Sequence, residues 1–443
     1  MPLTPEEAAH ARSIVEPAVV APIPPVRTTR VLIASPVRKP LIVVQQFLKA
    51  LSRQRTRGQV AVDYLFAPNF SPTDADGSAV IAELKAFTPN VWENDSTSGG
   101  YADGTETRQW GKPGFTRLAN LKNRILQHAL TTNADFVWLV DTDVMPDPGC
   151  LQSLLDAADW ENWKANETTP IPIVAGVYWT NWQRQVPGSH QRVHAGPQVW
   201  LTHPYGLSGR GWTEQEFRAS LIARRRVRVW GLGACTLIPI HALKKGVSFA
   251  PFDGLPPGPM SEGEDRHFCA HADSRHVGMF ADAWSDIYHA YHPADYNQLA
   301  ERVDELDYQS IDCPTVGTLV SGKLELLEPV ADGTGRWMRP SARWLRGTLG
   351  TLPVLPQVEE ALSSLKCGQS TLIKLHFPSH WPHPSLRLQS RIARVTLFDA
   401  KPFRVAPTID EELFVSQSTH RYLDTTAHTA RQLDEVYADT HQQ

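Results

Sequence analysis

The chain has 443 residues and no Cys-x-x-Cys pair, and its five cysteines (Cys150, Cys235, Cys269, Cys313, Cys367) are scattered and odd in number. That pattern argues against a disulfide framework or a zinc knuckle and makes a reducing cytoplasm the expected compartment. No apolar run approaches the roughly 18 residues a membrane helix needs. The N-terminus also lacks a basic stretch followed by an apolar one. A soluble, unexported protein with no membrane span is therefore expected. A large charge of one sign is missing as well. The net charge of -4 gives no global attraction to a polyanion. Only local patches remain, such as "ARRRVRVW" at 223 to 230, which reads equally well as a solvated helix end running into a strand.

What is present describes a globular protein, with 42% apolar and 20% charged residues. Its length exceeds what one core usually supports, so more than one domain is expected. Residues 1–28 form a Pro/Ala-rich leader. Beyond it strands and helices alternate: "RVLIASP" (30 to 36), a helical pattern in 39 to 54, "VAVDYLFAP" (60 to 68), a helix in 77 to 87, and another in 115 to 130. Alternation of this kind predicts a doubly wound α/β domain. The polar, Gly-rich stretch between Thr88 and Gly114 is too long for an ordinary connection; it reads as an active-site loop or as simple disorder.

The chemistry concentrates in two places. "FVWLVDTDVMPDP" (136 to 148) is a buried strand that stops at Asp141 and Asp143. In open α/β sheets the ligand crevice lies beyond the carboxyl ends of the strands, and residues i and i+2 share a face of an extended chain. The two carboxylates suit a hard divalent cation, Mn2+ or Mg2+. A second Asp-x-Asp, Asp74-Ala-Asp76, sits in a polar loop and reads as a turn. The other concentration is 261 to 293, where Glu264 and Asp265 open a helix, a strand ends at Asp282, and His289 and His292 follow. The acidic pair alone could be a helix cap, and a histidine after a strand can complete an oxygen-rich metal site.

In this order the pieces resemble the GT-A fold nucleotide-sugar glycosyltransferases, over residues 29 to about 300. "ASPVR", holding Ser35, Pro36 and Arg38, looks like that superfamily's first nucleotide-binding loop. Lys122-Asn123-Arg124 stands where the family carries its Arg-Asn pair, "VDTD" is similar to its Asp-x-Asp, and "GED" (263 to 265) resembles its later Glu-Asp motif. The resemblance implies a Rossmann-like mixed sheet with flanking helices spanning 29–312. It implies a UDP- or GDP-sugar donor held by Ser35, Pro36, Arg38, Asn69, Lys122, Asn123 and Asp141, and a metal on Asp141, Asp143 and His289. Asp265, with Glu264 beside it, would activate an acceptor hydroxyl, which favours inversion at the sugar carbon. Asn69 stands where many members carry a base-contacting aspartate, so uracil and guanine both stay open.

Tyr178, Trp179 and Trp182 could stack on a sugar or an exposed base, and Gly233 in the "GLGA" turn is placed with them on the acceptor side. Core packing would account for the aromatics equally well. Three acceptors compete: a polypeptide, a glycan, or hydroxymethylated phage-type DNA. The rival of a different class is a non-catalytic nucleotide-sugar or polypeptide binding protein that keeps the fold. Residues 313–406 read as a small antiparallel sheet on one short helix and resemble the peptidyl-prolyl isomerase domain of trigger factor. Trp337-Met338 and Val358 depart from that family's pocket, while Trp381 could line one. Residues 407–443 read as a helical or disordered tail.

Overall fold

The computed structural model describes residues 28–71, 74–95, 112–162, 171–181, 195–200, 217, 226–255, 263–329, 335–337, 343–349, 354, 356–376 and 390–401. The leader, the tail, the middle of the Gly-rich stretch, Trp182, Arg224, Arg225, Met338 and Trp381 lie outside them. The chain divides into two compact units, Val26–Tyr308 and one built on Gln309–Gln443. The division falls slightly before the boundary at 312 and 313 expected from the sequence.

In the first unit the elements are β1 (Thr29–Val37), α1 (Leu41–Ser52), β2 (Val60–Pro68), α2 (Gly77–Phe87), α3 (Lys112–Leu130), β3 (Phe136–Val140), β4 (Val144–Pro146) and α4 (Cys150–Asn162). Then come β5 (Ile173–Gly176), β6 (Trp179–Asn181), β7 (Ala195–Pro197), β8 (Val199–Trp200), β9 (Arg226–Arg228), β10 (Gly231–Leu232), β11 (Cys235–Pro239) and α5 (Ile240–Lys244). The unit closes with α6 (Glu264–Ser274), β12 (Met279–Asp282), β13 (Ile287–His289), a 3-10 turn (Pro293–Gln298) and α7 (Leu299–Leu306).

Seven strands form one sheet in the order β2-β1-β3-β11-β5-β12-β9. Strands β1, β2 and β3 run parallel, β11 is antiparallel to both β3 and β5, and β12 is parallel to β5. The sheet is therefore mixed. A continuous apolar strand such as β3 reports that both its faces are covered, but says nothing about the direction of its neighbours. Alternate side chains feed two cores. Leu32, Ala34, Val137 and Leu139 pack against α3 and α6 on one face. Val31, Ile33, Phe136 and Trp138 pack against α1, α2, α4 and α7 on the other.

This topology brings distant segments to one edge. Arg38 and Lys39 follow the end of β1, Asn69 the end of β2, and Asp141 to Asp143 the end of β3. Because β11 runs the other way, its start pairs Cys235 with Val140, which sets Gly233 and Ala234 at the same edge. Asp74 and Asp76 each hold a backbone N–H. Ser71 N donates to Asp74 Oδ2 at 2.7 Å, and Leu41 N donates to Asp76 Oδ2 at 3.3 Å.

The second unit holds β14 (Leu319–Pro329), β15 (Gly335–Trp337), β16 (Arg343–Thr348), α8 (Pro356–Ser363), β17 (Ser370–His376) and β18 (Ser390–Lys401). All its strand pairings are antiparallel. Val358 and Leu362 of α8 are buried with Leu345, Ile373, Val395 and Leu397. Val358 is thus a core residue. The ladder between β14 and β18 shifts register between Ser321 and Gly322. A Cβ at Gly322 would run into the Thr396 carbonyl and lie 3.2 Å from Leu362 Cδ2. Gly322→Ala should cost about 1–3 kcal/mol by overpacking. Faster amide exchange in Leu319–Pro329 and Ser390–Lys401 would show it, and unchanged exchange would refute it.

Candidate functional site

The turn after β3 sets the first carboxylates. Asp141 N donates to Ala234 O at 2.9 Å, and Val144 N returns to Asp141 O at 3.0 Å. The chain then enters β4, which pairs antiparallel with β13 so that His289 faces Val144. Ala290 N reaches Asp143 O at 2.8 Å. This register, invisible in the sequence, carries His289 Nε2 to 3.6 Å from Asp143 Oδ2. Tyr178 packs edge-on against the His289 ring with centroids 4.9 Å apart, and its hydroxyl accepts from Ala234 N at 2.7 Å. His292 is used differently, as the cap of the 3-10 turn at Pro293.

The second half of the site hangs on one lysine. Lys122 lies on the buried face of α3 among Leu118, Leu121, Ile125 and Leu126, and is itself fully buried. Its Nζ donates to Glu264 Oε1 at 2.9 Å and Asp265 Oδ1 at 3.2 Å, and stands 3.7 Å from Asp141 Oδ1. It also lies 5.2 Å above the Phe249 ring. Asn123 Oδ1 accepts the Phe249 backbone N–H at 2.7 Å, so the expected donor-binding asparagine fixes the loop beneath its neighbour. α6 begins at Glu264, which places both acidic residues in its first turn, where the helix dipole favours them.

A second cation, which the motifs did not reveal, completes the cluster. Lys39 Nζ is 2.6 Å from Asp143 Oδ2. The only signal for it in the sequence is its place two residues beyond the end of β1, on the crevice edge. Four carboxylates (Asp141, Asp143, Glu264, Asp265) thus face two ammonium groups, leaving two negative charges uncompensated when all are ionised.

The titration behaviour follows. Burial, and then its carboxylate neighbours, push Asp141 up to about 7 despite Lys122. Burial and Glu264 push Asp265 up to about 6. Burial also opposes the Asp143 charge, yet Lys39 and His289 outweigh it and hold that carboxyl well below the usual range. Burial lowers Lys122, but Asp141, Asp265 and Glu264 overcome it and leave the ammonium well above its ordinary value.

Among the described residues no group of three or more His, Cys, Asp or Glu side chains is already gathered as a metal cage. A Mg2+-type ion does not need one, because it takes one or two carboxylates and completes its shell with water and substrate phosphates. Asp143 with His289 beside it, the two-charge deficit, and a buried Asp141 Oδ1 that accepts no hydrogen bond together fit such an ion.

The other expected donor residues have the following places. A cleft of about 470 Å³ opens between the end of β2 and α3, lined by Asn69, Asp95, Arg117, Asn120 and Arg124. Arg124 donates to Asp95 Oδ2 at 3.0 Å and covers Trp92 at 5.1 Å. Arg38 is paired with Asp74 at 3.4 Å. Ser35 is buried, its hydroxyl bonded to Pro36 O at 3.2 Å. On the acceptor side, Trp179 lies in β6, and a Cβ on Gly233 would sit 2.6 Å from the Tyr178 hydroxyl. Of the basic run, Arg226 covers Phe280 at 3.8 Å and Arg228 covers Trp230 at 5.1 Å, on strand β9 at the rim of the sheet. No helix among the described residues is long and apolar enough to cross a membrane.

No family model matches this sequence, and no curated protein matches it. Among solved structures, that of S. aureus TarS is similar to it over 62% of this chain and 39% of its own, with 12% identity and a TM-score of 0.33. The chain thus spans well under half the length of that protein. At this distance the likeness carries no function across, and the chemistry of the cluster rests on its own geometry.

Proposed function

We propose that the first unit is a metal-dependent glycosyltransferase of GT-A type that uses a nucleoside-diphosphate sugar. The observation that supports it best is the cluster at the strand ends, four carboxylates against two lysines with His289 beside Asp143. A binding site for a neutral ligand would have no use for four clustered carboxylates that outnumber their two ammonium partners. A site built to receive a divalent cation with a diphosphate would. Asp143 and His289, with Asp141 alongside, would hold the cation, and when bound it would neutralise the charge growing on the leaving diphosphate.

The remaining roles belong to the chain. Arg117, Asn120, Arg124 and Asn69 would hold the nucleoside in the cleft along α3. Lys122 ties the donor side, at Asp141, to the acceptor side, at Glu264 and Asp265. Asp265, raised to about 6, is ionised at neutral pH yet basic enough to take a proton from an acceptor hydroxyl. Glu264, held by Lys122, positions it. The test is a panel of UDP- and GDP-sugars with and without manganese, scoring released nucleotide. Manganese-dependent release from one donor supports the reading, and no release with no metal-dependent nucleotide binding sinks it.

The kcat/KM reports the free enzyme. A general base is active only when deprotonated, so with manganese saturating, which keeps Asp141 ionised although its free-site value is about 7, kcat/KM should fall about tenfold per unit once pH drops below about 6. Asp265→Asn should remove transfer to the acceptor while retaining binding of the nucleotide product. A flat profile down to pH 5 would rule Asp265 out as the base.

A further inference from the structure

We propose that Lys39 competes with the divalent cation for Asp143, and that the donor diphosphate resolves the competition by drawing Lys39 to itself. The inference rests on the metal reading above and adds to it a residue with two alternating partners. Lys39 Nζ and His289 Nε2 converge on one oxygen, Asp143 Oδ2, at 2.6 Å and 3.6 Å. An ammonium in that position fills the approach a dication would use, and the two positive charges cannot share the oxygen without strong repulsion.

The geometry also lets Lys39 leave. It stands in the short connection between β1 and α1, with a quarter of its side chain exposed (25%). Its stem is four flexible carbons ending in a compact, strongly hydrated charge. Neighbouring Arg38 is turned to Asp74 at 3.4 Å and does not serve the same oxygen. Once a cation holds Asp143, the freed ammonium lies at the crevice edge beyond the strand ends and needs a new anion. In a nucleotide-sugar site that anion is the diphosphate. Without nucleotide the lysine keeps the carboxylate charge compensated. With nucleotide and metal both present, each positive charge gains a separate negative partner. Metal and nucleotide binding should therefore reinforce one another through Lys39.

The test is a Mn2+ titration of the full chain, followed by the electron paramagnetic resonance signal of free Mn2+, alone and with saturating UDP or GDP. It compares wild type, Lys39→Met, Lys39→Arg and Asp143→Asn, with the melting temperature of each confirming the fold. Without nucleotide, Lys39→Met should bind Mn2+ about tenfold more tightly than wild type, and Lys39→Arg should match wild type. The enhancement of Mn2+ affinity by nucleotide should shrink by a similar factor in Lys39→Met. Equal Mn2+ affinity in Lys39→Met and wild type, or an unchanged nucleotide enhancement, overturns the proposal. In either case, loss of Mn2+ binding in Asp143→Asn leaves the metal reading standing. Mn2+ binding that survives Asp143→Asn, or is absent from every variant, overturns both.

Discussion

Asp143→Ala is expected to abolish manganese-dependent release of nucleotide from the donor, with a loss of roughly 10^2–10^4 in rate. That range corresponds to the several kcal/mol a Lewis-acid cation supplies to a departing diphosphate. The aspartate is singled out because two independent elements converge on it. Lys39 approaches from the end of β1, and His289 is delivered by the pairing of β13 with β4. Removing the carboxylate also strands Lys39 without its partner at 2.6 Å, so some loss of stability is expected alongside. Asp143→Asn keeps the shape and an oxygen acceptor for Lys39 but not the charge, so it should lose less stability than Asp143→Ala while losing metal-dependent release equally. Full activity in both variants, with manganese still required, would move the cation elsewhere and remove the basis of the functional reading.

Much of this site was legible in the sequence because its parts obey local rules. A continuous apolar run ending in two carboxylates marks the carboxyl end of a buried strand, and β3 ends at Val140, one residue before Asp141. The bounds of β2 and α2 could be read from apolar spacing and turn residues for the same reason. Pairing could not. That β11 runs against β3, or that β13 lies on β4, depends on contacts between segments about 100 or more residues apart, and periodicity carries no such information. Lys122 was recognised through its motif, whereas its three-carboxylate environment appears only when α3 meets α6. Lys39 belongs to no motif and is placed by topology alone. Ser35 shows the converse: it sits in the resembling loop, yet its hydroxyl is already bonded to Pro36 O.

Lys122→Met is the substitution with the largest expected cost to the fold. Methionine matches the length and apolar stem of the lysine, so packing among Leu118, Leu121 and Ile125 is largely kept, and the loss is of charge. Breaking a buried ion pair by removing one partner costs about 3–5 kcal/mol, because the remaining charge is left uncompensated. Here Glu264 and Asp265 lose their shared donor and Asp141 its nearest cation. The pH dependence gives the sign. Asp141 and Asp265 have folded pKa values of about 7 and about 6, above the roughly 4 of an unfolded carboxylate. Between those limits the folded state binds more protons, so these two groups favour folding at low pH and withdraw that support as pH rises towards 7. Lys122 acts oppositely, since its raised pKa contributes stability throughout the neutral range and loses it only far into alkali. Removing it should raise both carboxylate pKa values further. The stability gap between wild type and Lys122→Met should therefore be widest near pH 8 and narrow towards pH 5, as protons replace the missing ammonium. Urea unfolding at the two pH values checks this. A gap that is constant with pH would mean that Lys122 contributes packing alone, and that the four carboxylates do not share one electrostatic cluster.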